Sequence, residues 1–533
     1  MVKNKEIEST TPTKMTLDSS NSDAHRMWAA VSFAVMLIVI GIPLWWKTTE
    51  VYRATLPYDE IHNLDPLSVK ISMTVFVYSE YPIRTNSIMQ RLELLLSDLR
   101  VFSISLKPLK IDLENVTYEI IEDTTSLHPN EGDFLLVEVP KFKSDIEILM
   151  SNKRIIYFHQ DTSLDLLGSM IREVLQDNVL HNKMLSIVSP EVVSDNTKES
   201  NRLRASLSYD IVFTIINSDP EHLKVNWNIK NDIKRYIQPL FDQIYEASEH
   251  YVKSQWLYLI DIGEIGEYPN KKGSEWLLSH SQVPHIITPL EKKLGSGISL
   301  NPCVHMVLYI TSCRMAPLSF VSENGEHLNA MISPHWGAVQ ILNPSTENCN
   351  NNTEIIPDSK YVMSVFTSQF HHLLRGRNEL NISEVKVNKI KGPFLRTWEL
   401  DGLFRMRTIE QITTATLTLQ SLSKLLGEIS NIVINEDVAN SIKEAVLYVN
   451  KAKFSLKLGK LKEALLHSKT AFRASEKAFS DPTLLALLYF PDDQKYAVYI
   501  PLFLPIMIPV LMSLKKIHCW FFSIKSQTHD KQD

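Results

Sequence analysis

Cys303-Val-His305 puts a nucleophile and a base two residues apart. On a β-strand, alternate residues share a face, so thiol and imidazole would lie about 7 Å from each other. A Cys–His pair of that kind supports acyl transfer. Cysteine is also a typical buried residue, and two core neighbours on one strand are the commoner origin of the pattern. His371 and His372 are adjacent on a helical stretch. Their side chains diverge by about 100°, which prevents them from sharing a metal ion easily. Asp492-Asp493 could hold a cation, although paired carboxylates are frequent in solvated turns. Gly295-Ser-Gly297 lacks the third glycine of a dinucleotide loop. The chain contains no G-x-x-x-x-G-K-[ST], G-x-S-x-G or H-E-x-x-H string. No catalytic residue, cofactor site or metal site is assigned from these residues.

The elements that would carry such residues read as a layered α/β domain with a mixed sheet and flanking helices. Val69, Ile71, Met73, Val75 and Val77 alternate along a strand that ends at Tyr78. Further strand-like runs are 134–139, 155–159, 211–216, 256–262 and 304–310. Helical spacing appears at 88–99, 164–175, 229–247 and 361–374. Strands interleaved with helices point to this class. From Trp398 the pattern becomes wholly helical. Ile412, Ala415, Leu419, Leu422, Leu426 and Ile429 form a stripe at spacings of three and four. Helices are expected to continue over 435–452 and 461–479, with Gly427 and Gly459 as punctuation. No internal repeat is visible.

Two apolar runs stand at the ends. Residues 27–46 and 496–514 are each long enough, at 1.5 Å per residue, to cross a hydrocarbon core of roughly 30 Å. A polar tail of 26 residues precedes the first, and Trp45, Trp46 and Lys47 close it as interface anchors, unlike a cleaved signal peptide. Lys515, Lys516 and Lys525 follow the second run, which places the C-terminal tail in the cytosol. With two spans the N-terminal tail joins it. The expected organisation is a disordered cytosolic tail over 1–26, a transmembrane helix over 27–46 and an α/β domain over 47–397. A helical segment over 398–495, a second transmembrane helix over 496–514 and a cytosolic tail over 515–533 complete it. The bulk would then lie outside the cytosol. The three N-glycosylation sequons, at Asn115, Asn351 and Asn381, all fall there.

The second span carries Pro501, Pro505 and Pro509 along one side. They free the carbonyls of Ala497, Pro501 and Pro505. In lipid such prolines persist where neighbouring helices or water satisfy the freed groups, so this face could dock other membrane subunits. A kinked helix facing lipid is the simpler reading.

A net charge of -6 over 533 residues, with no basic patch, argues against nucleic acid as a partner. Four cysteines do not make a disulfide scaffold. Cys303 and Cys313 stand at opposite ends of one apolar run, so they could bridge only if the chain turned between them. Cys349, in an Asn-rich loop, is the best candidate for a bond to another chain. For each cysteine the plainer reading is a small unbonded side chain.

Several strings are distinctive. Phe490-Pro-Asp-Asp-Gln-Lys495 is followed by Tyr499-Ile-Pro-Leu-Phe-Leu-Pro505. Gly41-Ile-Pro-Leu-Trp-Trp-Lys-Thr-Thr-Glu50 leads into Tyr52-Arg53-Ala54. Pro334-His-Trp-Gly337, Trp398-Glu-Leu-Asp401 and Ile429-Ser-Asn-Ile-Val-Ile434 lie between them. Together, from residue 27 to about 515, they resemble the class S subunits (PIG-S) of the glycosylphosphatidylinositol (GPI) transamidase. The resemblance implies a non-catalytic subunit of an endoplasmic reticulum membrane complex. Such a complex removes a C-terminal signal from precursor proteins and attaches a GPI lipid. It implies as partners a caspase-like catalytic subunit, a metallopeptidase-like subunit, a multi-pass subunit and a further lumenal single-pass subunit. It implies no cofactor and no catalytic residue in this chain. The alternatives are a membrane-anchored hydrolase or transferase acting through Cys303 and His305, and a lumenal receptor for lipid or sugar headgroups.

Overall fold

The computed structural model describes residues 15–49, 52–109, 130–139, 147–189, 203–261, 270–272, 275–279, 282–294, 299–333, 336–349, 354–375, 382–390, 392–429, 432–486 and 497–518, apart from 204, 323, 346, 348, 383, 498–499, 502, 506 and 516. The chain divides into two compact units. The larger covers 57–421 and 441–476, and the smaller covers 1–56, 422–440 and 477–533.

The larger unit is built on two mostly parallel sheets. In the first, Ile71–Tyr78 pairs in parallel with Phe102–Pro108 on one side and Phe134–Val139 on the other. Ile155–His159 adds in parallel, and Ile148–Met150 adds antiparallel beyond it. Val385–Val387 closes the edge. In the second sheet, Ser208–Asn217 pairs in parallel with Glu249–Tyr258 and with Cys303–Ile310. Gly337–Leu342 adds in parallel, and Ala330–Ser333 adds antiparallel. The burial of these runs explains their sequences. Cys303–Ile310 is buried along nearly its whole length because both faces of a parallel sheet are covered. Ile71–Tyr78 instead alternates between buried and half-buried positions, as its residues do.

The two sheets share one topology. In each, the parallel strands stand in the order second, first, third, fourth along the chain. In each, an antiparallel strand comes from the hairpin that precedes the fourth. A helix follows the first strand, Pro82–Leu96 in one sheet and the segment 229–244 in the other. A helix also follows the fourth, Leu164–Leu175 and Ser359–Arg375 respectively. These two helices pack on each other in both halves. Phe241 and Phe370 mark that contact in the second, with ring centroids 5.1 Å apart. This corrects the expectation of no internal repeat. The repetition lies in connectivity, which apolar runs of varied composition do not display.

A small sheet, with Leu318–Val321 and Glu275–Ser279 at its centre, covers the second large one. It packs through Leu278, Leu318 and Phe320, together with the helix Val283–Leu294. The helix Thr397–Glu428 is heavily buried, and its stripe Ile412–Leu426 lies in the core as its spacing predicts. Residues 397–421 of this helix contact both large sheets. The Arg405 guanidinium lies 5.8 Å from the Phe102 ring, and the Arg407 guanidinium 6.0 Å from the Tyr209 ring.

In the smaller unit, the helix over His25–Leu44 is the one long and apolar enough to cross a membrane among the described residues. A π-turn at Leu37–Gly41 interrupts its regular winding. The helical backbone starts at Met15, inside the stretch expected to be disordered. Extending an existing helix costs far less than nucleating one, so the polar residues continue it. The second apolar helix, Phe503–Lys515, is shorter than a full span.

Candidate functional site

Ligands of open parallel α/β sheets bind at the carboxyl ends of the strands, where the strand order reverses. Here that point lies between the first and third strands of each sheet. In the first sheet, Ser79 Oγ and Arg84 Nε both donate to the buried Glu138 carboxylate, and Arg84 Nη2 donates to the Gln160 carbonyl. In the second, Asn217 Nδ2 donates to the Leu223 carbonyl at 2.9 Å, and Ser218 Oγ to the Ile310 carbonyl at 2.8 Å. Thr311 Oγ1 donates to Asn343 Oδ1 at 3.1 Å. Asn343 also exchanges two hydrogen bonds of 2.9 Å with the Leu318 backbone. These polar groups are therefore bonded to the protein itself, while the buried Ser312 Oγ, just past the third strand of the second sheet, has no partner.

Cys303 and His305 share a strand, as expected, but do not form a working pair. Cys303 is half-buried, is not disulfide-bonded, and has Sγ 3.8 Å from the Asn301 carbonyl oxygen. Beside it in register stands Asp210, which accepts from Lys253, Ser299 and Asn301. These bonds hold the Asp210 carboxyl below its ordinary range despite its burial. His305 is only 1% exposed, its ring lies against Trp336 at 5.3 Å, and Nδ1 has no partner. A catalytic base needs an orienting group and access to substrate. His305 Nδ1 has no orienting group, and its burial denies that access.

Burial pushes the His305 imidazole down to about 4, and burial with the nearby Arg407 charge does the same to His250. Unfolded imidazoles take up protons below about pH 6.5, while these two resist until about pH 4. Stability should therefore fall as pH drops through that window, by on the order of 3 kcal/mol per histidine. Melting curves of the chain between pH 7 and 4.5 should show the loss, and His250→Phe should make it shallower.

The other candidates separate. His371 Nε2 lies 3.1 Å from the Pro393 carbonyl. Among the described residues, no group of three or more His, Cys, Asp or Glu side chains is placed to hold a metal ion. Pro501, Pro505 and Pro509 have helical backbone and exposed side chains. Asn115, Asn351, Asn381, Asp492 and Asp493 lie outside the described residues.

The cysteine readings need correction. Cys313 and Cys349 form a disulfide within the chain, with Cα atoms 5.8 Å apart. The physical reason is that Cys303–Ile310 and Gly337–Leu342 are neighbouring parallel strands, so the segments leaving them emerge side by side. No spacing in the sequence reveals that adjacency. The bond closes a loop of 36 residues, for which chain entropy gives about 4 kcal/mol. Replacing both cysteines by serine should lower the melting temperature accordingly, measured against the parent under non-reducing conditions.

Among the described residues, members of several distinctive strings make contacts, while 490–495 lies outside the described residues. Ala54 N donates to the Ile434 carbonyl at 2.9 Å, and Ile434 N to the Tyr52 carbonyl at 3.1 Å. Arg53 Nη2 reaches the Leu426 carbonyl, and Tyr52 Oη donates to Glu436 at 2.6 Å. Tyr52, Arg53 and Ala54 are thus stitched to Leu426, Ile434 and Glu436. Trp398 Nε1 donates to the Ser151 carbonyl at 3.2 Å. Asp401 receives Arg154 through two hydrogen bonds and the Gly132 N–H at 3.2 Å. This buried network was missed because a helix stripe reports only apolar positions. The polar residues between them, including Arg407 and Glu410 at 3.0 Å, are buried too.

Residues 32–523 match the family of phosphatidylinositol-glycan biosynthesis class S proteins. The chain is 34% identical to a GPI-anchor transamidase component PIGS of Rattus norvegicus and to that of Homo sapiens, over 92% of this chain and 94% of each relative. It is 26% identical to the GPI transamidase component PIG-S homolog of Schizosaccharomyces pombe, over 92% of this chain and 83% of the relative. With the match running through both units, the chain belongs to the phosphatidylinositol-glycan biosynthesis class S (PIG-S) family.

Proposed function

We propose that this chain is an architectural, non-catalytic subunit of the GPI transamidase, holding together the endoplasmic reticulum complex that attaches GPI anchors to proteins. The relatives are named as components of that enzyme. The observation that carries the non-catalytic reading is that Glu138, Ser218, Thr311 and Asn343, at the two sheet crevices, are hydrogen-bonded within the protein. The burial of His305 supports it. The partners are the caspase-like catalytic subunit and the remaining membrane subunits, and GPI lipid and precursor protein are substrates of the complex. The bulk of the chain lies in the lumen between two membrane anchors, with both termini cytosolic. The Cys313–Cys349 bond suits that oxidising side.

Complementation tests the reading. In cells lacking the chain, Cys303→Ala should restore surface display of a GPI-anchored reporter as fully as the parent. Loss of display with the complex intact would favour an enzyme acting through Cys303. Removing the sequons at Asn115, Asn351 and Asn381 should abolish any endoglycosidase-sensitive mass, and such mass in the parent would fix the lumenal side.

A further inference from the structure

The apolar helix near the C-terminus has one covered side and one open side. Val510 is 3% exposed, and Met507, Ser513 and Ile517 are half-buried. Pro501, Pro505 and Pro509 are exposed, with helical backbone. Pro505 and Val510 are five residues apart, which sets them about 140° apart around a helix. The proline side therefore faces away from whatever covers Val510.

That side carries acceptors that the helix cannot satisfy by itself. In a regular helix each N–H bonds the carbonyl four residues before it. Pro505 and Pro509 have no N–H, so the carbonyls of Pro501 and Pro505 lose that bond. Counted from Tyr496, the Pro505 carbonyl lies about 13 Å along the axis, near the middle of a span over 496–514. Lipid chains offer it no donor. This chain has none to spare. Between 500 and 514 the one side chain with a donor is Ser513, whose Oγ donates to its own Val510 carbonyl at 2.7 Å. Between 29 and 44, in the first apolar helix, it is Ser32, whose Oγ donates to its own Ala29 carbonyl at 2.9 Å. Tyr496 and Tyr499 stand at the entry of the run, about 9 Å or more in axial rise before Pro505. A second copy bringing the same face would oppose proline to proline and add no N–H. What satisfies these carbonyls is a different helix with a side-chain donor at the same depth.

We propose that the side formed by Pro501, Pro505 and Pro509 packs against a transmembrane helix of another subunit, whose hydroxyl or amide side chain donates to the freed carbonyls. The proposal rests on the proposed membership of the transamidase and on the two-anchor organisation. The test uses the full chain in the purified complex, with a photoreactive amino acid in place of Ile508. Ile508 is 43% exposed and, seven residues after Pro501, lies on nearly the same side of the helix. The expected crosslink is to a transmembrane segment of another subunit with Ser, Thr, Asn or Gln within one turn of the attachment point. The variant Pro505→Ala with Pro509→Ala returns an N–H to each freed carbonyl. It should lower recovery of that subunit about tenfold, the size expected of two interhelical hydrogen bonds in a membrane. Replacing the partner's donor by alanine should lower it similarly, and the two changes together should cost no more than either alone. Alanine continues a helix, so melting of the chain should stay unchanged. Crosslinking only to lipid, only to a second copy, or to a segment without such a donor would overturn the proposal. So would parental recovery of every subunit by the proline variant, or losses that add in full. If the parent itself recovers no other subunit, the proposed function fails. If protease added to intact microsomes spares a tag placed after Asp533, the two-anchor organisation fails, so these failures are distinguishable from that of the proposal.

Discussion

Gly337→Ala is expected to abolish folding of the second sheet. Gly337 opens the strand Gly337–Leu342 with φ +147°, a conformation that residues with a Cβ rarely adopt. A Cβ built there lies 2.0 Å from the His305 carbonyl oxygen and 2.7 Å from His305 N. Neither atom can yield. His305 N donates to the Trp336 carbonyl at 3.0 Å, and His305 sits on the central strand of the sheet. The backbones touch because the chain must pass over that strand to start the next in parallel register. Strain and overlap together should cost ~4 kcal/mol or more, a large share of the stability of a domain. In cells the variant should be nearly absent at steady state and, when captured, open to limited proteolysis. A variant that accumulated normally and resisted protease would show that Gly337 does not press on His305.

The second large effect is expected at Asp401. Its carboxylate is buried on the helix Thr397–Glu428, where it accepts from Arg154 Nε, Arg154 Nη2 at 2.8 Å and Gly132 N. Arg154 belongs to the hairpin between two strands of the first sheet, so this pair ties the central helix to that sheet. Two further buried charges depend on it. The Arg405 guanidinium is enclosed with Nε and Nη2 unpartnered, burial pushes its ionisation down, and Asp401 is the foremost charge that counters this. Burial also raises the Asp133 carboxyl, which Arg154 helps to keep charged. Asp401→Ala leaves Arg154 and Arg405 inside without their foremost counter-charge. Removing one partner of a buried pair costs roughly 3–5 kcal/mol. The double variant Asp401→Leu with Arg154→Met should be milder than Asp401→Ala alone, because the Arg154 guanidinium is then not left buried without its partner, and only Arg405 still loses Asp401. Chemical denaturation of the three proteins checks this order, and equal losses for the single and double variants would contradict it.

What could be read from the residues depended on whether the physics was local. The strands 134–139 and 155–159 and the helices 164–175 and 461–479 were legible to the residue, because buried apolar runs and helical spacing are properties of short windows. Phe102–Pro108 was not, although Phe102, Ile104 and Leu106 alternate along it, because three apolar residues among serines make a short signal on an edge strand. The strand expected at 256–262 runs instead over Glu249–Tyr258, starting earlier because its polar residues face outward along an edge. The disulfide, the shared sheet topology and the Arg154–Asp401 pair join residues far apart in the chain, and no window contains them. The strings that carried the family resemblance were legible as words but not as contacts. Trp336-Gly337, Trp398–Asp401 and Tyr52–Ala54 with 429–434 turned out to hold strands and helices in place.

The most direct measurement is purification of the tagged, full-length chain in gentle detergent, with mass spectrometry of everything recovered at equal molar amount. The account predicts a caspase-like cysteine protease and the other membrane subunits of the transamidase, recovered together and in fixed proportion. A well-folded chain recovered alone would contradict it, and would return attention to Cys303 and to an activity of its own.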